Sequence, residues 1–229
     1  MTNSNPLKAP IQVNLLSALE IIQKHLTDVL CEEIFHDTRH RERQRKWSLF
    51  ALARFWTVVV LQAPDTLTQL LEACGQGKLP FIPQVKSSMA AFSKKCKATH
   101  YRFFQLLYQR FVERVLPEAP GLYAAPAHAL LKSFSGIWVV DGSRLDKILH
   151  RLKILWKEKT VVLPGCLLVY YDLIRGITRQ VIFDPDAARA ELSRAETMLD
   201  LIPRGTLLLG DRLYASIRAV VRHRINAQA

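Results

Sequence analysis

The hydrophobic period of this chain changes once, across a stretch rich in Pro, Gly and Ala at Pro117 to Pro126. Before it, apolar residues recur every three or four positions, the spacing of helices that bury one face. Beyond it they form short extended runs separated by turn residues, the pattern of strands. Such a chain joins a helical part to a part built on a sheet. We expect a helical region over residues 1–125 and a second unit over 126–229.

In the first part, Leu15, Leu19, Ile22, Leu26 and Val29 predict one amphipathic helix from Leu15 to about Phe35, with Glu20, Lys24 and Asp28 turned outward. A basic run, Arg39, Arg41, Arg43, Arg45 and Lys46, leads into an apolar helix from Trp47 to Leu61 whose only charge is Arg54. Asp65 after Pro64 marks a helix start and Gly75 a stop, and Gly75 to Pro83 reads as a linker. Two further helices follow, Ser87 to Lys97 and His100 to Leu116, parted by an Ala-Thr break.

In the second part the expected order is strand, strand, strand, helix, strand, helix. The strands are Ile137 to Val140, ending at Asp141; Val161 to Tyr171, or from just after Pro164; Thr178 to Phe183, after a turn at Arg175-Gly176; and Thr206 to Gly210, ending at Asp211. The helices are Ala187 to Ile202, capped by Asp186, and Ser216 to about Asn226. A three-strand meander followed by a right-handed crossover can set the fourth strand parallel to and beside the first. This is the ribonuclease H-like arrangement. The fold class expected is therefore α+β or α/β, a helical N-terminal region followed by an incomplete ribonuclease H-like core.

Asp141 and Asp211 would then stand side by side at the carboxyl edge of adjacent parallel strands. In apolar surroundings two such carboxylates repel, unless a cation bridges them. Mg2+ or Mn2+ is the expected cation: it takes oxygen ligands, keeps waters and binds phosphates, and a pair of such ions can activate an attacking hydroxyl while stabilising a leaving oxygen. That chemistry points to phosphodiester cleavage and strand transfer. The alternative is that both residues cap turns, since Asp-Gly and Gly-Asp favour strand ends.

The formal net charge of +12 suits a polyanionic partner, through phosphate neutralisation and counterion release. Candidate contacts are Arg39, Arg41, Arg43, Arg45 and Lys46, and the cluster Lys94, Lys95, Lys97 and Arg102, interleaved with Phe92, Tyr101 and Phe103. Arg212 and Tyr214, beside the second Asp, are further candidates for a DNA phosphate, or else form a salt bridge and a core-edge contact. Ser143 is read as a turn cap or a phosphate-positioning hydroxyl. Cys31, Cys74, Cys96 and Cys166 lie far apart without a Cys-x-x-Cys pair, so neither a zinc site nor a disulfide framework is expected. The apolar stretches Phe55 to Leu61 and Val161 to Tyr171 are too short to span a bilayer, and no signal peptide is read, so a cytoplasmic, nucleoid-associated protein without a membrane partner is expected.

The segments IWVVDGSRL around Asp141 and LLLGDRLYAS around Asp211 resemble the two aspartate motifs of bacterial insertion-sequence transposases, in the family named insertion sequence four. The stretch VKSSMAAFSKKCKATHYRFFQLLYQRF resembles that family's segment before the catalytic core. The resemblance implies a metal-dependent enzyme of the DDE class that binds the terminal inverted repeats of its element, cuts there and joins the ends to target DNA, with a transposase dimer as a further partner expectation. It makes Asp141 the first metal ligand and Asp211 the second. In the family a Tyr-x2-Arg-x3-Glu-x6-Lys signature supplies the third carboxylate. No Glu follows Asp211 up to Ala229, and Leu213 stands where the family commonly has Gly. The expectation is thus a truncated N-terminal portion, inactive alone. The alternative function is a catalytically inert DNA-binding remnant or regulator of an intact transposase.

Two other enzyme classes fail on residue chemistry. A haloacid-dehalogenase-like site would need Val139 as its nucleophile, which cannot form an aspartyl-phosphate. A dinucleotide-binding domain would need a Gly-rich fingerprint after a strand, and there is none.

Overall fold

The computed structural model describes residues 15–38, 46–118, 133–144, 165–186 and 199–211. Among them are six α-helices and one four-stranded mixed sheet, so the chain is a mixed α and β protein. No helix of the described residues is long and apolar enough to cross a membrane.

The helix expected from Leu15 to Phe35 is two helices, α1 (Leu15–His25) and α2 (Asp28–Thr38). Thr27 breaks it, because its hydroxyl accepts from the Leu30 N–H and so caps a new helix. The break resets the phase. Leu26 remains buried, but Val29 is 66% exposed, and α2 buries Leu30, Cys31, Ile34 and Phe35 instead. Arg54, the lone charge of α3 (Leu49–Gln62), is what joins these pieces. Its guanidinium donates to the carbonyls of Gln23 and Leu26 at the end of α1 and to Phe81, and it lies 4.4 Å over the Phe50 ring. The last carbonyls of a helix, such as that of Gln23, have no partner within the helix itself. Arg54→Met should therefore cost about 2 kcal/mol in a urea melt; a loss below about 0.5 kcal/mol would show that water replaces the guanidinium.

Helix starts follow local chemistry. Ser48 caps α3, and Ser88 caps α5 (Met89–Ala98), each hydroxyl accepting an N–H three residues on. The cap of α4 (Leu67–Gly75) is Thr66, not the expected Asp65; Gly75 ends the helix as expected. His100 caps α6 (Tyr101–Val115), its Nδ1 accepting from the Arg102 N–H. Against α6 the first two helices are held by Arg114 to Glu33, and by Lys24 and His25 to Glu118. Hydrogen bonds from Lys24 and then His25 hold the Glu118 carboxyl below its usual range.

The helices share one core, centred on Leu52, Phe55, Phe92 and Phe103. Its rings interlock: Phe55 lies 4.9 Å from Phe92 and 5.4 Å from Trp47, the second pair edge to face, a favoured geometry for ring quadrupoles. Cys31 belongs to the same core, where burial, and next the charge of Asp28, pushes its thiol up to about 12.

The sheet has the order β3-β2-β1-β4, from strands β1 (Gly136–Arg144), β2 (Cys166–Asp172), β3 (Ile177–Asp184) and β4 (Thr206–Leu209). β1 is antiparallel to β2 and parallel to β4, and β2 is antiparallel to β3. The expected neighbourhood of first and fourth strands is thus observed. Trp138, Val140, Leu168 and Tyr170 line one face and pack with Leu199 and Ile202, on and beside a 3-10 turn (Leu199–Leu201). Burial pushes the Tyr170 phenol up to about 12. Most of the helix expected over Ala187 to Ile202, and the one expected over Ser216 to Asn226, lie outside the described residues.

The outer strand β3 is met by α6. The Tyr108 hydroxyl donates to the Thr178 carbonyl at 2.7 Å, Gln109 donates to Gln180 at 3.3 Å, and Tyr101 meets the Phe183 ring edge-on at 4.8 Å. A helix laid along an outer strand occupies an edge that would otherwise be open to pairing.

Candidate functional site

β1 does not end at Asp141. It continues to Arg144, with Asp141 paired to Val169 and Ser143 to Leu167, so neither residue caps a turn. What ends early is the pairing with β4, whose last pair is Val139 with Leu209. Asp141 and Asp211 each stand two positions past that pair. Asp141 lies within β1, whereas Asp211 lies two residues past the end of β4. Side chains alternate across a strand, so Asp141 shares the face of Val139 and lies opposite to that of Trp138 and Val140.

Both aspartates are exposed. This corrects the expected apolar surroundings: water screens the repulsion, and the two carboxylates can coexist at modest cost. Donors of this kind suit a hard divalent cation. Mg2+ is commonly held by one or two carboxylates, with the remaining positions left to water and to phosphate oxygens. Among the described residues, no set of three His, Cys, Asp or Glu side chains gathers to hold a metal.

Another carboxylate of the sheet, Asp172, was not singled out in the sequence. It is buried at the opposite end of β1, paired with Trp138, and its Oδ1 accepts from the N–H groups of Ile174 and Arg175, closing the β2–β3 turn. Its Oδ2 lies 3.9 Å from Arg179, whose guanidinium sits 5.3 Å over the Trp138 ring. Asp172 therefore builds the hairpin. Its sequence signal was an Asp opening the Leu-Ile-Arg-Gly turn, the residue type that bonds its own backbone two or three positions on.

No family model, curated protein or solved structure matches the chain. The assignment of the site therefore rests on its residues.

Of the basic candidates, Lys46, Lys94, Lys97 and Arg102 are exposed. Lys95 is not: it is 9% exposed, beside Phe92 on the inner face of α5. The correction has a simple cause. Three positions separate Lys95 from Phe92, which puts them on one helical face, and Phe92 is fixed in the core. Lys94 and Lys97, also three apart, share the outer face. Arg39, Arg41, Arg43, Arg45, Arg212 and Tyr214 lie outside the described residues.

Proposed function

We propose that this chain is a DNA-transposition protein of the DDE class with a ribonuclease H-like core, related to the insertion sequence four transposases it resembles. The observation that carries the proposal is the parallel register of β1 and β4, whose last pair, Val139 with Leu209, lies two residues before both Asp141 and Asp211; carried onward, that register would bring the two carboxylates level. On this reading the two carboxylates hold Mg2+ or Mn2+, which when bound activates a hydroxyl nucleophile and stabilises the leaving oxygen of a phosphodiester. Asp141 and Asp211 orient that chemistry from a water-accessible sheet edge, where duplex DNA can approach.

The net charge of +12 and the outer face of α5 support double-stranded DNA as the partner, with the element's terminal inverted repeats and a target duplex as its two substrates. Lys94→Gln, Lys97→Gln and Arg102→Gln should each lower the slope of log affinity against log salt by about one, the signature of one lost phosphate contact. Lys95→Gln should leave the slope unchanged and lower the melting temperature. A slope insensitive to the first three changes would remove α5 and the start of α6 from the DNA interface.

The functional test is a gel-shift and nicking assay on DNA carrying the repeats that flank the gene, with Mg2+. Selective binding with nicking at the repeat ends supports a DDE enzyme. Selective binding without nicking supports the second reading, a DNA-holding remnant or regulator. Equal binding to repeats and unrelated DNA overturns both.

A further inference from the structure

The strands place a second feature on the face and edge that carry Asp141. β1, β3 and β4 run in one direction, so their carboxyl ends meet at one edge. Two cross-strand rows lie there: Val181, Val169 and Asp141, and beyond it Phe183, Leu167 and Ser143. Directly paired residues point to the same side of a sheet, so both rows share the face opposite the buried Leu168 and Tyr170. Phe183 is seated there because residue 165 is glycine. A Cβ on Gly165, whose φ is +115°, would lie 2.7 Å from the Phe183 ring.

On Phe183 stands the start of α6. Tyr101 meets that ring edge-on at 4.8 Å, and His100 stacks on Tyr101 with centroids 4.5 Å apart and planes 29° from parallel. His100 is exposed, as are Lys97 and Arg102 on either side of it in the chain. The Nδ1 bond to the Arg102 N–H anchors the imidazole in place. Two strand spacings, roughly 10 Å, separate the β3 and β1 positions of these rows. That is a reach of a few nucleotides.

We propose that the His100–Tyr101 stack is a platform for an unpaired base of the DNA strand crossing this face toward Asp141, with Lys97 and Arg102 neutralising the flanking phosphates. The inference rests on the reading of Asp141 and Asp211 as the DNA-processing carboxylates. An imidazole backed by a phenol ring presents a flat π surface, which takes any base but only one that has left its stack. Intact duplex hides those base faces. The platform therefore selects frayed or single-stranded ends, while Lys97 and Arg102 add attraction without sequence preference.

The test compares a blunt repeat-end duplex with the same duplex bearing a short single-stranded tail, with 5-iodouracil placed along the tail. The intact chain should bind the tailed DNA about tenfold more tightly than the blunt one, within the range that one stacked base contributes. Irradiation should crosslink one tail position to the peptide holding His100 and Tyr101. His100→Asn keeps a good helix cap and removes the ring, so it should bind blunt duplex as before while losing the tail advantage. Equal affinity for tailed and blunt DNA in the unmodified chain, or an undiminished tail advantage in His100→Asn, overturns the platform alone. Failure to bind either DNA overturns the platform together with the proposed function.

Discussion

Asp141→Asn and Asp211→Asn should each weaken Mn2+ binding more than about a hundredfold, because even losing an outer-shell partner of a metal costs about ten- to a hundredfold. Each change removes half of the charge that the proposed pair offers to the cation, and an amide oxygen is a much poorer partner for a hard divalent ion than a carboxylate. Binding is read by electron paramagnetic resonance, from the loss of the free-ion signal on titrating the chain, with and without repeat DNA. Both residues are exposed and lie beyond the last β1–β4 pair, so the substitutions should leave the thermal melt in place. Equal weakening by the two variants is the informative part. If one abolishes binding and the other is silent, the two strands do not share a cation. If Asp172→Asn matches them, the binding is nonspecific, since that carboxylate is buried in the hairpin at the far end of β1.

Phe55→Ala should cost about 3–5 kcal/mol, the range for emptying a large aromatic site in a packed core. The ring is 0% exposed and touches Trp47 and Phe92 in edge-on and tilted geometry, with Trp56 at 6.3 Å. α3, α5 and the residue before the α3 cap meet there. Removal loses the transfer free energy of the ring, its aromatic contacts, and the support of neighbours that cannot collapse fully into the space. A urea melt followed by tryptophan fluorescence reads the change at Trp47 and Trp56 themselves. Val60→Ala is the control: Val60 sits in the same helix but is 63% exposed, and should move stability by less than about 0.5 kcal/mol. A loss below about 1 kcal/mol for Phe55→Ala would mean that the helices do not share the single core described above.

Much of the secondary structure was legible because it is set within a turn or two of the chain. The starts of α3, α5 and α6 lie at Ser48, Ser88 and His100, within two residues of where the apolar period begins. The misreadings came from the same scale. At Thr27 a single hydroxyl converted one apparent helix into two, and a five-residue apolar pattern that ran through the break hid it. Asp65 and Thr66 are both good caps, and only the position of the following N–H groups distinguishes them. The basic cluster on α5 held enough information to exclude Lys95, since its three-residue spacing from Phe92 fixes its face; composition alone grouped it with Lys94 and Lys97.

By itself, the sequence determined that helices precede strands, roughly where most helices begin, and which two aspartates lie near the carboxyl ends of the first and fourth strands. Those are local properties, fixed by periodicity and by backbone groups seeking partners a few residues away. The tertiary structure decided that β1 runs on past Asp141, that both aspartates face water, and that Tyr101 comes to rest on Phe183. These depend on register between strands and on packing between segments some eighty residues apart. No local pattern encodes which of several compatible pairings buries the most apolar surface.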